Sequence, residues 1–208
     1  IMSILVDENT KVLIQGITGK EGSRAAREMI AYGTKVLAGV TPGKGGQITE
    51  QGVPVFNSVA EALSQFPEVN TALVVVPAPF VQAAAMESIE AKIPLIDILT
   101  EKVPVAAVAK MIAVAKAMRV TLVGPSSVGI ISPGKAKIGS IGSSEMVHVI
   151  FTPGSVGVIS KSGGMTAEIS RILSEANLGQ STVVGIGGAL LIGADFLDIG
   201  TSLLYNTR

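Results

Sequence analysis

The residues with the clearest chemical use are three glycines, Gly16, Gly19 and Gly22, in the stretch "KVLIQGITGKEGSRAAREMIAYG". An apolar run precedes them and a helical pattern follows. In a strand-to-helix turn, glycines permit a tight bend and let a diphosphate approach the backbone, and the N-terminus of the following helix favours its charge. The same residues also suit an ordinary turn that needs glycine's backbone freedom. Their spacing is not the G-x-G-x-x-G of dinucleotide sites, so their position between strand and helix carries the reading.

The next strand separates the ligands such a loop could hold. Nicotinamide-binding domains place Asp or Glu about 20 residues beyond the loop, on the ribose hydroxyls. Here "LAGVTPGKGG" carries no acid before Glu50, and Lys44 sits between glycines. A lysine suits a ribose with its own phosphate, as in coenzyme A or NADP, and equally suits a solvated loop. Farther on, "SKSGGMTAE" repeats the strand, glycine turn and helix order, a second helix N-terminus open to an anion or a plain turn. Ser162 in it lacks the G-x-S-x-G flanks of a nucleophile. The single histidine, His148, lies in apolar "MVHVIF" and is expected to be a buried, packed imidazole without a catalytic role.

Composition narrows the classes further. The charges balance at 16 against 16, with five Phe, two Tyr and no Trp, so there is no basic stripe and there are few stacking platforms for nucleic acid. One histidine and no cysteine leave no zinc ligand set and no disulfide. The mean hydropathy is +0.55, yet Pro77 and Pro79 break the most apolar stretch, Thr71 to Met86, below the ~18 residues of a membrane span. With no basic and apolar leader at the start, the expectation is a cytoplasmic protein with no membrane contact, or one of the mitochondrial matrix in a eukaryote.

These residues need a scaffold, and the pattern supplies one. Strands are expected at Lys11–Gln15, Thr34–Val40, Val53–Phe56, Thr71–Val76, Leu95–Leu99 and Val120–Val123. Helices are expected near Ser23–Tyr32, Val59–Phe66, Val81–Ala91 and Val105–Met118. Ser58 with Glu61 forms a capping box, and Gly33 sits where a helix wants a left-handed residue. The alternation implies an α/β, Rossmann-like parallel sheet covered on both faces. Residues 126–154 hold most of a stretch with six glycines and three prolines and no helical period, and read as a connection. From 155 to 208 the alternation restarts with two strands and two helices, too few to cover a parallel sheet. The chain is therefore expected to be a fragment, or to borrow strands from a partner.

"GITGKEG", "GVTPGKGGQ", "GVPVF", "VPAPF", "ILTEKVP" and "GPSSVGIISPGKAKIG" resemble, in order and spacing, the alpha subunit of succinyl-CoA synthetase, as do "GSVGVISKSGGMTAE" and "GQSTVVGIGG". The resemblance covers essentially the whole chain. It implies a Rossmann-like coenzyme A-binding domain over 1–125 and the start of a flavodoxin-like ligase domain over 155–208. It implies a ligase that joins a carboxylic acid to coenzyme A, with ATP or GTP and magnesium held by a nucleotide-binding beta subunit. Coenzyme A contacts map by resemblance to Thr18, Gly19, Lys20, Glu21, Lys44, Leu99, Thr100 and Glu101. Ser162, Gly163 and Gly164 map to hydroxyl and amide donors that face the carboxylate substrate or a phosphohistidine. That histidine would lie beyond Arg208.

The chain departs from the succinate pattern at three places. Ala167 stands at the tyrosine position, Ala189 at an aspartate and Ser126 at an asparagine. The glycine pair of "SGGM" is closer to the ATP-citrate lyase and citryl-CoA synthetase branch, which leaves the acid open. A non-catalytic coenzyme A-binding module and a dinucleotide dehydrogenase are the competing expectations.

Overall fold

The computed structural model describes residues 3–142 and 145–205. The first sheet contains β1 (Lys11–Gln15), β2 (Lys35–Val40), β3 (Val55–Phe56), β4 (Thr71–Val74), β5 (Leu95–Ile98) and β6 (Thr121–Val123). Its order is β3-β2-β1-β4-β5-β6, and every pairing is parallel. The order reverses between β1 and β4, which opens a crevice beyond their carboxyl ends.

The crossovers are α1 (Lys20–Tyr32), α2 (Val59–Gln65), α3 (Ala78–Glu90) and α4 (Val105–Met118). Their ends follow local chemistry. The Ser58 hydroxyl accepts from the Glu61 amide at 3.1 Å, and the Glu61 carboxylate accepts from the Asn57 amide at 2.9 Å, starting α2. At Gly33 the backbone turns left-handed, φ 98°, and its amide returns to the Ile30 carbonyl to close α1. Pro79 is accommodated in the first turn of α3, where its missing N–H costs no helical bond.

Alternation along the strands sends two sets of side chains to two faces. Leu13, Ala72, Val74, Ile96 and Ile98 pack with buried residues of α2, α3 and α4. On the opposite face, Val12, Ile14, Leu73, Leu95 and Val123 meet α1 through Ala25, Ala26 and Met29. The same cluster continues into Ile130, Ile138, Val184 and Ile186 of a second sheet. One face of the parallel sheet is thus covered by helices and the other by one helix and a sheet.

That second sheet contains β7 (Gly129–Ser132), β8 (Ala136–Gly139), β9 (Pro153–Ser160) and β10 (Gln180–Gly185), in the order β8-β7-β10-β9. Pairs β7–β8 and β7–β10 are antiparallel, and β9–β10 is parallel. The stretch read as a bare connection therefore supplies half the strands, together with α5 (Val147–Ile150). Its glycines hide this, because Gly129 and Gly139 pair with each other at positive φ and the main partner, β10, lies about 50 residues away. Two further helices, α6 (Gly163–Glu175) and α7 (Phe196–Tyr205), complete the described elements. None of the helices among the described residues is long and apolar enough to cross a membrane.

Polar contacts stitch α1 to this sheet. The Lys137 ammonium, its side chain 1% exposed, lies 3.3 Å from the Glu28 carboxylate and donates to the Gly142 carbonyl at 2.7 Å. Burial pulls Lys137 below the ordinary lysine pKa, and the Glu28 carboxylate pulls it back. Thr34 donates to the Lys137 carbonyl at 2.7 Å, and the Gly134 amide donates to the Tyr32 hydroxyl at 2.9 Å. His148 is exposed rather than buried, with its ring stacked on Tyr32 at 5.1 Å. The short α5 turns Val147 inward and leaves the next two side chains to solvent.

Asp97 is the odd group in the seam between the sheets. It pairs in register with Leu73 and Val123, is fully buried, and neither of its carboxylate oxygens has a hydrogen bond. Burial raises its pKa from 3.8 to about 7, with the Ser127 hydroxyl acting weakly the other way. The Ser127 hydroxyl is already committed to the Gly185 carbonyl at 2.7 Å. A raised folded-state pKa makes the protonated carboxyl a stabilising partner of folding, fully so below 3.8 and not at all above about 7. The free energy gained by Asp97→Asn over the parent is therefore expected to grow as pH rises from about 4 to 7. Urea unfolding at each pH measures it, and a difference that stays flat across that window rejects the burial assignment.

Candidate active site: a cavity at the strand switch point

The crevice between β1 and β4 is a cavity of about 1140 Å³. Its lip is the loop from Gly16 to Gly19. Gly16 holds φ 91°, and its carbonyl accepts from the Gly19 amide at 3.0 Å. Gly19 then caps α1 with no side-chain acceptor on the first-turn amides. Those amides, together with the helix dipole, form an unspent donor set facing the cavity. Gly22 lies inside the first turn, where a Cβ would overlap the Gly16 carbonyl oxygen. Only glycine lets the helix start this close to the strand it follows.

Several elements contribute the walls. Thr18, Gly19, Lys20 and Glu21 line the loop side, with Arg24 one turn on and paired to Glu21 at 2.7 Å. Leu99, Thr100 and Glu101 line the side beyond β5, where the Thr100 hydroxyl donates to the Val76 carbonyl at 2.7 Å. Val40, Thr41 and Pro42 close the β2 side, and the Thr18 hydroxyl bonds that of Thr41 at 3.1 Å. Seven of the residues named from resemblance thus meet in one cavity.

Lys44 does not line it. The side chain is exposed on the loop that follows Pro42, a loop held by Asn57, whose side-chain oxygen accepts from the Gly43 and Gly45 amides at 3.0 Å each. Ser162, Gly163 and Gly164 lie outside the cavity at the start of α6, where the Ser162 hydroxyl accepts from the Met165 amide at 3.4 Å. The helix end there is already capped by its own chain. Ala167 is on α6, the Ala189 carbonyl accepts from the Lys161 ammonium at 3.2 Å, and Ser126 takes a left-handed φ of 61°.

Sequence reasoning missed one whole wall. Phe80, Ala83, Ala84 and Glu87 of α3 line the cavity, with Gln15 from the end of β1. Their spacing of three, four and seven puts them on one face of a helix, a signal that the run of alanines around them conceals.

A parallel sheet whose first glycine loop opens an uncapped helix onto a cavity of this size defines a Rossmann-type domain for a phosphate-bearing ligand. Residues 7–102 match the family model described as a CoA binding domain. The chain is 49% identical over 199 residues to succinate–CoA ligase [ADP-forming] subunit alpha 2 of Archaeoglobus fulgidus, covering 95% of this chain and 67% of that one. To the corresponding alpha subunit of Methanothermobacter thermautotrophicus it is 47% identical, covering 94% and 64%, and to that of Aquifex aeolicus 45%, covering 95% and 63%. It superimposes on ATP citrate lyase from Methanothrix soehngenii, solved with citrate and coenzyme A, with a TM-score of 0.82 at 26% identity over 94% of this chain and 34% of that one. The chain belongs to the family of succinate–CoA ligase alpha subunits, and it spans about two thirds of the length of these relatives.

Because α1 abuts Gly16 so closely, Gly22→Ala is expected to cost ~1–3 kcal/mol, a fall in Tm of roughly 3–10 °C. Gly164→Ala is the control, since its Cβ meets open space, and is expected to leave Tm unchanged or slightly higher. Equal melting of the two variants by calorimetry rejects the close approach as the reason for Gly22.

Proposed function

We propose that this chain is the coenzyme A-binding part of an alpha-type subunit in an NDP-forming acyl-CoA synthetase. The whole protein ligates a small carboxylic acid to the thiol of coenzyme A as a nucleoside triphosphate is cleaved to its diphosphate and phosphate. The observation that carries this reading is the unspent donor set at the start of α1, open to the cavity. The amides of Lys20 and Glu21 hold the diphosphate, with Thr18 and Gly19 forming the turn that presents them. Lys44 reaches the ribose phosphate from the β2 loop, and Leu99, Thr100 and Glu101 flank the path of the pantetheine arm. Relatives named as succinate–CoA ligases support succinate as the acid.

The nucleotide and its magnesium are assigned to a beta-type partner, and the phosphoryl relay to a histidine outside this chain. His148, in α5, is the one histidine here, and its imidazole is stacked on Tyr32 of α1 and does not line the cavity. The N-terminus of α6, with Ser162, Gly163 and Gly164, is assigned to the carboxylate or phosphoryl group that the relay presents.

Isothermal calorimetry with coenzyme A, dephospho-coenzyme A and NAD tests the ligand. Coenzyme A is expected to bind tightest and NAD not measurably. A charge-assisted contact is worth ~1.5–3 kcal/mol, so Lys44→Ala is expected to lower affinity for coenzyme A about 10- to 100-fold and to leave dephospho-coenzyme A unchanged. An unaltered preference between the two forms removes Lys44 from the site.

A further inference from the structure

The wall that the sequence concealed has its own chemistry. Phe80, Ala83 and Ala84 form an apolar face of α3, Val40 and Pro42 line the cavity as well, and Glu87 stands two helical turns beyond Phe80. The two alanines leave room for a flat group against this face, and at Glu87 and Gln15 the lining turns polar.

The hydrogen-bond inventory at that end is one-sided. Glu87 accepts from the Val59 amide at 2.7 Å through one carboxylate oxygen and from the Gln15 side-chain amide at 3.4 Å through the other. The same Gln15 nitrogen donates to the Ala84 carbonyl at 2.8 Å, so both of its hydrogens are spent. Ser88 donates its hydroxyl hydrogen to the Gln15 carbonyl at 2.9 Å. Each Glu87 oxygen keeps a lone pair, so the capacity left over is all acceptor. A flat ligand group that carries a donor at its edge fits such an end, and one that presents an acceptor there does not.

We infer that Glu87, fixed by Gln15 and the α2 amide of Val59, accepts a hydrogen bond from the exocyclic amino group of the ligand's purine. The acid that dinucleotide sites place after β2 is missing here, and the cavity supplies one from α3, aimed at the base end instead of the ribose. Selectivity follows from the asymmetry. A 6-amino group donates to the carboxylate, whereas the 6-oxygen of a hypoxanthine would set a second acceptor against it, a repulsive contact that costs affinity.

This inference rests on the coenzyme A reading, and one titration separates the two. The full chain is titrated by calorimetry with coenzyme A and with its deaminated, hypoxanthine counterpart. The parent is expected to prefer coenzyme A by about 10- to 100-fold. In Glu87→Gln that preference is expected to fall below ~3-fold or to invert, because the amide now offers a donor to the hypoxanthine oxygen, with affinity for the deaminated ligand kept or raised. Glu87→Asp, which keeps the charge on a shorter stem, is expected to show a reduced preference of the same sign and serves should Glu87→Gln not fold. Equal affinities in the parent, or the same ratio in parent and variants, overturn the role of Glu87 while leaving coenzyme A binding in place. Failure of the parent to bind either ligand overturns the carrier reading and this inference with it.

Discussion

The structure depends on the contact between the first turn of α1 and the carbonyl of Gly16. A helix can present free amides to a ligand only if its first turn is both uncapped and held still. Leaving those donors unpaired costs free energy in the folded protein without ligand, because they are solvated imperfectly beside a packed strand. The glycine at position 22 removes the steric obstacle, and Gly19 caps without offering a side chain to compete for the amides. The donor set is thereby kept for an external anion. The start of α6 is the opposite case, since the Ser162 hydroxyl takes one of its amides. Two glycine turns of similar sequence therefore differ in how much of the helix end remains open.

The rear of α1 explains why the loop needs the second sheet. Within α1 the apolar contacts of Ala25, Ala26 and Met29 reach the same cluster as Ile130, Ile138 and Val184. Around them the Lys137–Glu28 pair, Thr34 on the β8 backbone and Tyr32 under Gly134 tie the C-terminal half of the helix to β7 and β8. A buried ammonium is tolerable only because both a carboxylate and a carbonyl answer it, and such a pair favours one arrangement over many. The glycine loop and the second sheet are mechanically one unit. The first sheet alone would leave one face of β1, β4 and β5 exposed.

Much of this was legible in the residues, and the failures have physical causes. β1 and α4 fall where their periodicity puts them, at Lys11–Gln15 and Val105–Met118, because each has a full apolar face and no competing breaker. The start of α1 was read three residues late, since glycine disfavours helix interiors and Gly22 looked like loop. A close backbone approach outweighs that propensity. β7 and β8 escaped notice because their pairing is non-local and their glycines supply positive φ rather than β propensity. His148 was expected inside an apolar run, yet a helix of four residues has an outside even when its neighbours are hydrophobic. For the site, the phosphate end announced itself through glycines, whereas the α3 wall is built of alanine, phenylalanine and one glutamate, which read as an ordinary packing face.

The cavity's polarity has an order that follows from the fold. Donors gather at the β1–α1 turn, because helix N-termini in this topology all point to the carboxyl edge of the sheet. Glu87 adds an acceptor on the α3 side, because that side chain is held where α2 begins and the Val59 amide there needs an anion. The rest of the lining includes apolar residues of β2, of the turn after β4 and of α3. A ligand that brings an anion to the β1–α1 turn and a flat group with a donor to Glu87 matches this lining. The same glutamate that stabilises the start of α2 thereby gives the α3 wall its sign, so helix capping and ligand recognition are met by one carboxylate.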